Sequence, residues 1–568
     1  MKKNYWLLFT GLLLCSCVTA QVFSKNQHLT RQDTLRGSIT TERAWWDAVM
    51  YDLTVKPEFT NFTISGSNII YFKIVKNPAS RMQIDLQEPL TIDSAWLNDV
   101  PVTFSRDGNA WFIDLPNRKM PKSLPQNQYT SGALQQLKLV YHGVPKPALN
   151  APWDGGIVWK KDEKGNPWIN VACQGLGASV WWPCKDHQGD EPDSAKINII
   201  APDTLMNISN GKLRSVSESV NGFKTWTWFV SKPINIYNIT MNIGKYAHFN
   251  DTLMGENGKL DLDYYVMEYN LEKAKKQFAV VKPMLRAFEY WFGPYPFYED
   301  GYKLVESYHL GMEHQSAVAY GNKFMNGYLG RDLSGTGWGS KWDFIIVHES
   351  GHEWFGNNIS AKDAADMWVH EGFTNYSETL FIDYMYGTEA GNAYVQGIRK
   401  NIRNDAPIIG TYNVNKEGSG DMYYKASNMI HMVRQIIGDK STFRMLLHDM
   451  NEKFRYKTVS SNEIEDFISK RTGFNLSKMF DQYLRTVQIP TLEYYLETSS
   501  GMQTLYYRWN DCIKGFNMPI KLPGNSHGKY GLMLATEQWQ KMRTNFKEDE
   551  DLQKLMDKNF YVTYKKVK

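Results

Sequence analysis

The segment from Asp343 to Gly356 contains His348-Glu349-Ser350-Gly351-His352, two histidines four residues apart with a glutamate directly after the first. On a helix that spacing sets both imidazoles on one face, one turn apart, where their nitrogens can meet a single tetrahedral zinc ion. Glu349 then leans toward a water on that metal and can take its proton. With 12 histidines in 568 residues, chance supplies only ~0.01 such segments. Glu371, nineteen residues past His352, completes two imidazoles and a carboxylate. That set leaves a fourth position open for water, the arrangement of a catalytic rather than a structural site, with one zinc per chain. The chemistry expected is hydrolysis by a water acidified toward a pKa of ~7 next to a polarised carbonyl. Glu378, seven residues beyond Glu371, either orients a ligand histidine or is a solvated helix carboxylate. His370 is an alternative ligand to Glu371, but adjacent helical residues point about 100° apart, so one of the two faces the metal.

These groups need two helices to hold them, an apolar one closed by Gly356 and an amphipathic one over Asp366 to Glu378. The flanking sequence divides accordingly. From about Trp45 to Phe249 short alternating runs such as Tyr51 to Val55 and Lys224 to Val230, separated by Asn, Gly, Pro and Ser, read as an all-β domain. Helical patterns, including Leu271 to Trp291 as one helix, then dominate to about Val487. Strand signals return after Pro490 over about 80 residues, enough for a small β-sandwich. The expected boundaries are 1–20 for a leader, 21–44 for an N-terminal segment, 45–249, 250–488 and 489–568. Gly327 to Gly339 is glycine-rich but is followed by no Gly-Lys-Ser/Thr, which argues against a phosphate-binding loop. Sixty-four Lys and Arg against 60 Asp and Glu leave a net charge of +4, too balanced for a nucleic-acid binder.

Several segments, taken in order, resemble the aminopeptidase N and leukotriene hydrolase group of zinc metallopeptidases, the gluzincin aminopeptidases. They are the Tyr51 strand, Gln174 to Asp186, Trp291-Phe292-Gly293-Pro294-Tyr295-Pro296, Gly311-Met312-Glu313, the His-Glu-x-x-His segment with Glu371-Gly372-Phe373, and Tyr423-Tyr424-Lys425. The resemblance implies a multidomain α+β fold: a β-sheet saddle domain, a thermolysin-like, mostly helical catalytic domain and a C-terminal β-sandwich. It implies zinc on His348, His352 and Glu371, with Glu349 as general base. Gly311, Met312 and Glu313 would then form the exopeptidase strand, with Glu313 binding the free amine of a peptide and Gln174 touching the same amine from the β-domain. Tyr423 would donate to the oxyanion, with Tyr424 as the adjacent alternative. His314 replaces the usual Asn and Ala426 the usual Gly, and the stretch from His187 to Asp193 is longer than the family's. Members commonly end in a long helical domain, whereas the residues after Pro490 read as strands, so the cleft is expected to be more open or to be completed by another chain.

The function expected is a zinc aminopeptidase acting on peptides with a free N-terminus. The competing readings are a zinc metalloendopeptidase and a catalytically weak peptide-binding surface protein. Oligomeric state is left open. Met1 to Ala20 has two lysines, a short apolar run and a small-residue end, the layout of a secretory leader, so the expectation is export to the periplasm or medium. Cys17, in Leu14-Cys15-Ser16-Cys17, offers the alternative of a lipid anchor. No later run is apolar and long enough to span a bilayer. Cys173 and Cys184 are read as either a disulfide or two buried thiols.

Overall fold

A computed structural model describes residues 29–115, 132–499, 502–523, 530–544 and 556–567. The leader and Cys17 lie outside these residues. A short helix, α1 (Arg31–Gly37), is closed at its start by a capping box of Thr30 and Asp33. It precedes an eight-stranded sheet with β1 (Trp46–Glu58) near its middle, antiparallel to β2 (Thr63–Ile74) and parallel to β3 (Ser194–Pro202). Alternate residues of β1, among them Tyr51, Leu53 and Val55, are buried in one core with Trp181, Trp182 and Ile197. The period-two pattern visible in the sequence is what permits this one-sided burial.

The β structure runs further than the sequence pattern indicates. β4 (Tyr246–Gly255) and β5 (Gly258–Met267) form a hairpin that starts a second, five-stranded sheet. It continues through β6 (Tyr302–Glu306), β7 (Gly311–Met312) and β8 (Val318–Tyr320), in the order β4-β5-β6-β8-β7, leaving β7 as an edge. β6 is buried along its whole length and so shows no alternation. The expected single helix from Leu271 to Trp291 is interrupted. It divides into a helix at Leu271–Gln277, a 3₁₀ turn at Phe278–Val280, and α2 (Val281–Phe292). Pro283 is the third residue of α2. It has no N–H to donate, and its ring would clash with the carbonyl four residues back in a continuous helix.

The helices around the candidate residues are α3 (Phe344–Gly351), α4 (Trp368–Tyr386), α5 (Thr388–Gly397) and α6 (Tyr424–Ile437). α4 is buried on every face from Trp368 to Asp383, a central helix rather than the amphipathic one its polar residues suggested. It packs closely on α6, since a Cβ on Gly372 would lie 2.7 Å from the Ala426 methyl group. The C-terminal strands β9 (Thr491–Ser499), β10 (Met502–Asn510), β11 (Gln540–Thr544) and β12 (Thr563–Lys566) form a four-stranded sheet in the order β11-β10-β9-β12, beside a separate two-stranded pair. Leu492, Tyr507 and Trp509 share one apolar core with α3, α4, α5 and α6. The C-terminal module therefore adds to that core rather than building its own. Cys173 and Cys184 are free, buried thiols, the second of the two readings. No helix of the described residues is long and apolar enough to cross a membrane.

Candidate active site

α3 is anchored at its start by Asp343, whose carboxylate accepts from the backbone N–H groups of Ile345 (3.1 Å) and Ile346 (3.3 Å). The same carboxylate accepts from Tyr320 Oη at 2.7 Å and Asn322 Nδ2 at 2.8 Å, which ties the helix to strand β8. α3 thereby lies against the sheet edge. A Cβ on Gly311 would meet Glu349 Oε1 at 2.5 Å, so a side chain there would displace the glutamate. α3 ends at Gly351, and His352 follows at its C-terminal cap with helical φ and ψ of −63° and −21°, which preserves the one-turn spacing from His348.

The ring nitrogens are differentiated by their partners. His348 Nδ1 is 2.7 Å from Glu378 Oε1, and His352 Nδ1 is 3.0 Å from the Phe355 carbonyl and 3.1 Å from Thr374 Oγ1. Both Nε2 atoms instead face Glu371 Oε2, at 3.7 Å from His348 and 3.4 Å from His352. One donor atom from each of the three residues lies within 4.8 Å of the others. Glu371 Oε2 is buried with no hydrogen-bond partner, a costly state for a carboxylate unless a cation faces it. Burial alone would raise the Glu371 carboxyl, yet His352 and His348 hold it well below the usual carboxylate range. Two Nε2 atoms and an orphaned carboxylate oxygen converging on one point fit a tetrahedral zinc with one position open.

Glu378 is fully buried, not solvated. It accepts from Tyr394 Oη at 2.6 Å and Asn375 Nδ2 at 2.8 Å while holding His348. Replacing Glu378 with Ala should weaken zinc binding by about 10- to 100-fold, measured by chelator competition; unchanged affinity would rule out this orienting contact. His370 turns away from the ligands. Its Nε2 accepts from the Ala361 N–H at 2.7 Å, and burial pushes its pKa down to about 3.

Around these groups lies a cleft of about 1330 Å³ lined by Gln174, Gly311, Met312, Glu313, His348, Glu349, His352, Glu371, Tyr423 and Tyr424, among others. A carboxylate oxygen of Glu313, one of Glu349 and a ring nitrogen of His352 lie within 4.8 Å of one another. Burial pushes the Glu349 carboxyl up to about 7, against the pull of His348 and His352. Glu313 is buried, and its pKa is raised by that burial. Its Oε1 accepts from Gln174 Nε2 at 2.7 Å and Tyr237 Oη at 2.9 Å, and Gln174 Nε2 also lies 3.3 Å from Glu371 Oε1. The structure therefore brings Gln174, from the N-terminal β region, to Glu313 and to the candidate metal ligand Glu371. Tyr237 was missed by the sequence reading; it sits in a 3₁₀ turn with no spacing signal, 76 residues from its partner. The Tyr423 ring stacks near His348, with centroids 6.1 Å apart. His314 is buried with both ring nitrogens unpartnered and its pKa pushed well down by burial, so the residue in place of the family Asn is a neutral imidazole.

Comparisons with known proteins match the region that carries these residues. Residues 269–483 match the model of the peptidase family M1 domain. Aminopeptidase 2 of Candida albicans is 18% identical over 463 residues, covering 78% of this chain and 47% of the relative. The alanine/arginine aminopeptidase of Saccharomyces cerevisiae is 20% identical over 460 residues, covering 78% and 51%. The chain spans about half the length of these curated relatives. Among solved structures, the M1 zinc metallopeptidase from Deinococcus radiodurans aligns with a TM-score of 0.63 at 20% identity, covering 78% of this chain and 95% of that one. His348, His352 and Glu371 all fall inside residues 269–483, so the segment that carries the candidate metal site is the one that matches the peptidase family M1 domain.

Proposed function

We propose that the protein is a zinc aminopeptidase that removes N-terminal residues from peptides. The observation that carries this reading is Glu313, a buried carboxylate within 4.8 Å of Glu349 and His352 and open to the cleft. A buried carboxylate needs a cation, and the α-ammonium of a peptide supplies one. An amine held by Glu313 brings the start of the peptide next to Glu349 and His352, so the first peptide bond is the one this reading presents. Relatives named aminopeptidases, and a solved neighbour described as bound to a Tyr-Ser-Ala substrate, support the same substrate class.

Zinc, when bound, supplies Lewis acidity to a water and to the scissile carbonyl. The remaining work falls to the chain's own residues. Glu313 receives the ammonium, with Gln174 and Tyr237 fixing the carboxylate. Glu349 takes the proton of the attacking water and returns it to the leaving amine. Tyr423 donates to the oxyanion.

The experiment is zinc-dependent release of amino acids from free and N-acetylated peptides, repeated with a chelator. Only the free peptides should turn over. Replacing Glu313 with Ala should cut kcat/KM for free-amine peptides by about 10²-fold and leave the acetylated ones relatively better cleaved. Preference for acetylated peptides in the unmodified chain would instead establish an endopeptidase.

A further inference from the structure

One carboxylate of the cleft has no part in this scheme. Glu417 lines the cavity, is half-buried, and has no hydrogen-bond or ion-pair partner among the described residues. Three of the cations that line the cleft have partners elsewhere. Arg36 donates to the Gly175 carbonyl at 2.9 Å and pairs with Asp186 at 3.3 Å, Lys362 pairs with Glu463 at 2.8 Å, and Arg403 faces Asp405 at 3.8 Å.

The wall that carries Glu417 is tied down. Asn415 N–H donates to the Asp33 carbonyl of α1 at 3.1 Å, and Asn415 Nδ2 donates to the Gly175 carbonyl at 2.9 Å. Gly175, at φ +71°, stands opposite. A Cβ there would have Glu417 Oε1 as its one neighbour, at 3.8 Å, so the glycine leaves the carboxylate open to the cavity. Gly175 directly follows Gln174, which touches Glu313 and Glu371. Glu417 thus faces the turn beside the amine anchor, and burial together with the negative charges of Glu371 and Glu313 raises it to about 7.

The charge count of the cleft then matters. A substrate with only an α-ammonium matches Glu313 and leaves Glu417 without a counter-charge in a partly dehydrated site, whereas a second cation on the first side chain matches both. We propose that Glu417 is a specificity residue that receives the side-chain cation of a substrate's first residue, directing the enzyme toward N-terminal arginine and lysine. This rests on the aminopeptidase reading above.

The test uses the zinc-loaded full chain with arginyl, lysyl, leucyl and methionyl reporter amides. In Glu417→Gln the ratio of kcat/KM for arginyl over leucyl should fall about 10- to 100-fold, with partial recovery in Glu417→Asp. An unchanged ratio, or an equal fall for both substrates, would overturn the proposal. If no free-amine reporter is cleaved by the unmodified chain, the aminopeptidase reading fails by itself. Calorimetric titration with L-argininamide and L-leucinamide then still decides the role of Glu417: preferential argininamide binding that disappears in Glu417→Gln supports it, and equal binding of the two amides refutes it.

Discussion

Glu349→Gln should lower peptide hydrolysis by about 10³- to 10⁴-fold while leaving zinc content and melting temperature close to those of the unmodified chain. Glutamine has nearly the same volume as glutamate, so it fits the same space under Gly311, where only a glycine leaves room for the side chain. It cannot accept a proton from water. Because Glu349 is not one of the three converging ligand residues, the change removes proton transfer and keeps the metal set. The contrast is Glu353, one turn on. It is fully buried and accepts from Ser316 N at 2.9 Å and Tyr295 Oη at 3.1 Å, and it does not line the cleft. Glu353→Gln should therefore alter stability and leave kcat near its starting value. Activity of Glu349→Gln within tenfold of the unmodified chain, measured on a free-amine reporter amide, would remove Glu349 from the general-base role.

What the sequence revealed of this site follows from how locally each part is encoded. His348, Glu349 and His352 lie within one helical turn, so their relation follows from the 3.6-residue repeat alone. Glu371 and Glu378 share α4, whose course is set by the helix period as well. Contacts between distant segments were not readable in this way. Gln174 meets Glu313 across 139 residues, and Tyr237 meets it across 76. No spacing rule predicts such encounters, and Gln174 was found through family resemblance. The sheet behind the site was under-read for a related reason. Strand β6 includes Lys303 and Glu306 yet is buried throughout, because Lys303 Nζ donates to the Gly211 carbonyl and Glu306 accepts from Met267 N–H and Asn270 Nδ2. Charged residues satisfied by distant partners look exposed in a sequence. Glu417 has the converse property: the role proposed for it rests on its having no such partner among the described residues, which a sequence does not display.

Tyr423→Phe should lower kcat by about 10²- to 10³-fold with KM for the same reporter little changed, the pattern of a donor that acts on charge formed in the transition state. The residue precedes α6 with φ −79° and ψ −80°, outside helical geometry, which lets its ring leave the helix surface and stack near His348 at 6.1 Å. A phenol held beside the His348 imidazole is the group we propose to donate to the carbonyl oxygen as it acquires negative charge. Tyr424 also borders the cleft, but it is the first residue of α6 and has the backbone of a regular helix, which directs its side chain differently. Its conversion to Phe should change kcat less than about threefold, as loss of one hydroxyl without a role in the transition state would. The two substitutions remove the same atom from adjacent residues and share any general effect on α6 and its packing against α4. A difference of two orders of magnitude between them would isolate the oxyanion donor. Equal losses would point to the helix rather than the phenol, and a larger loss at Tyr424 would reassign the role to that residue.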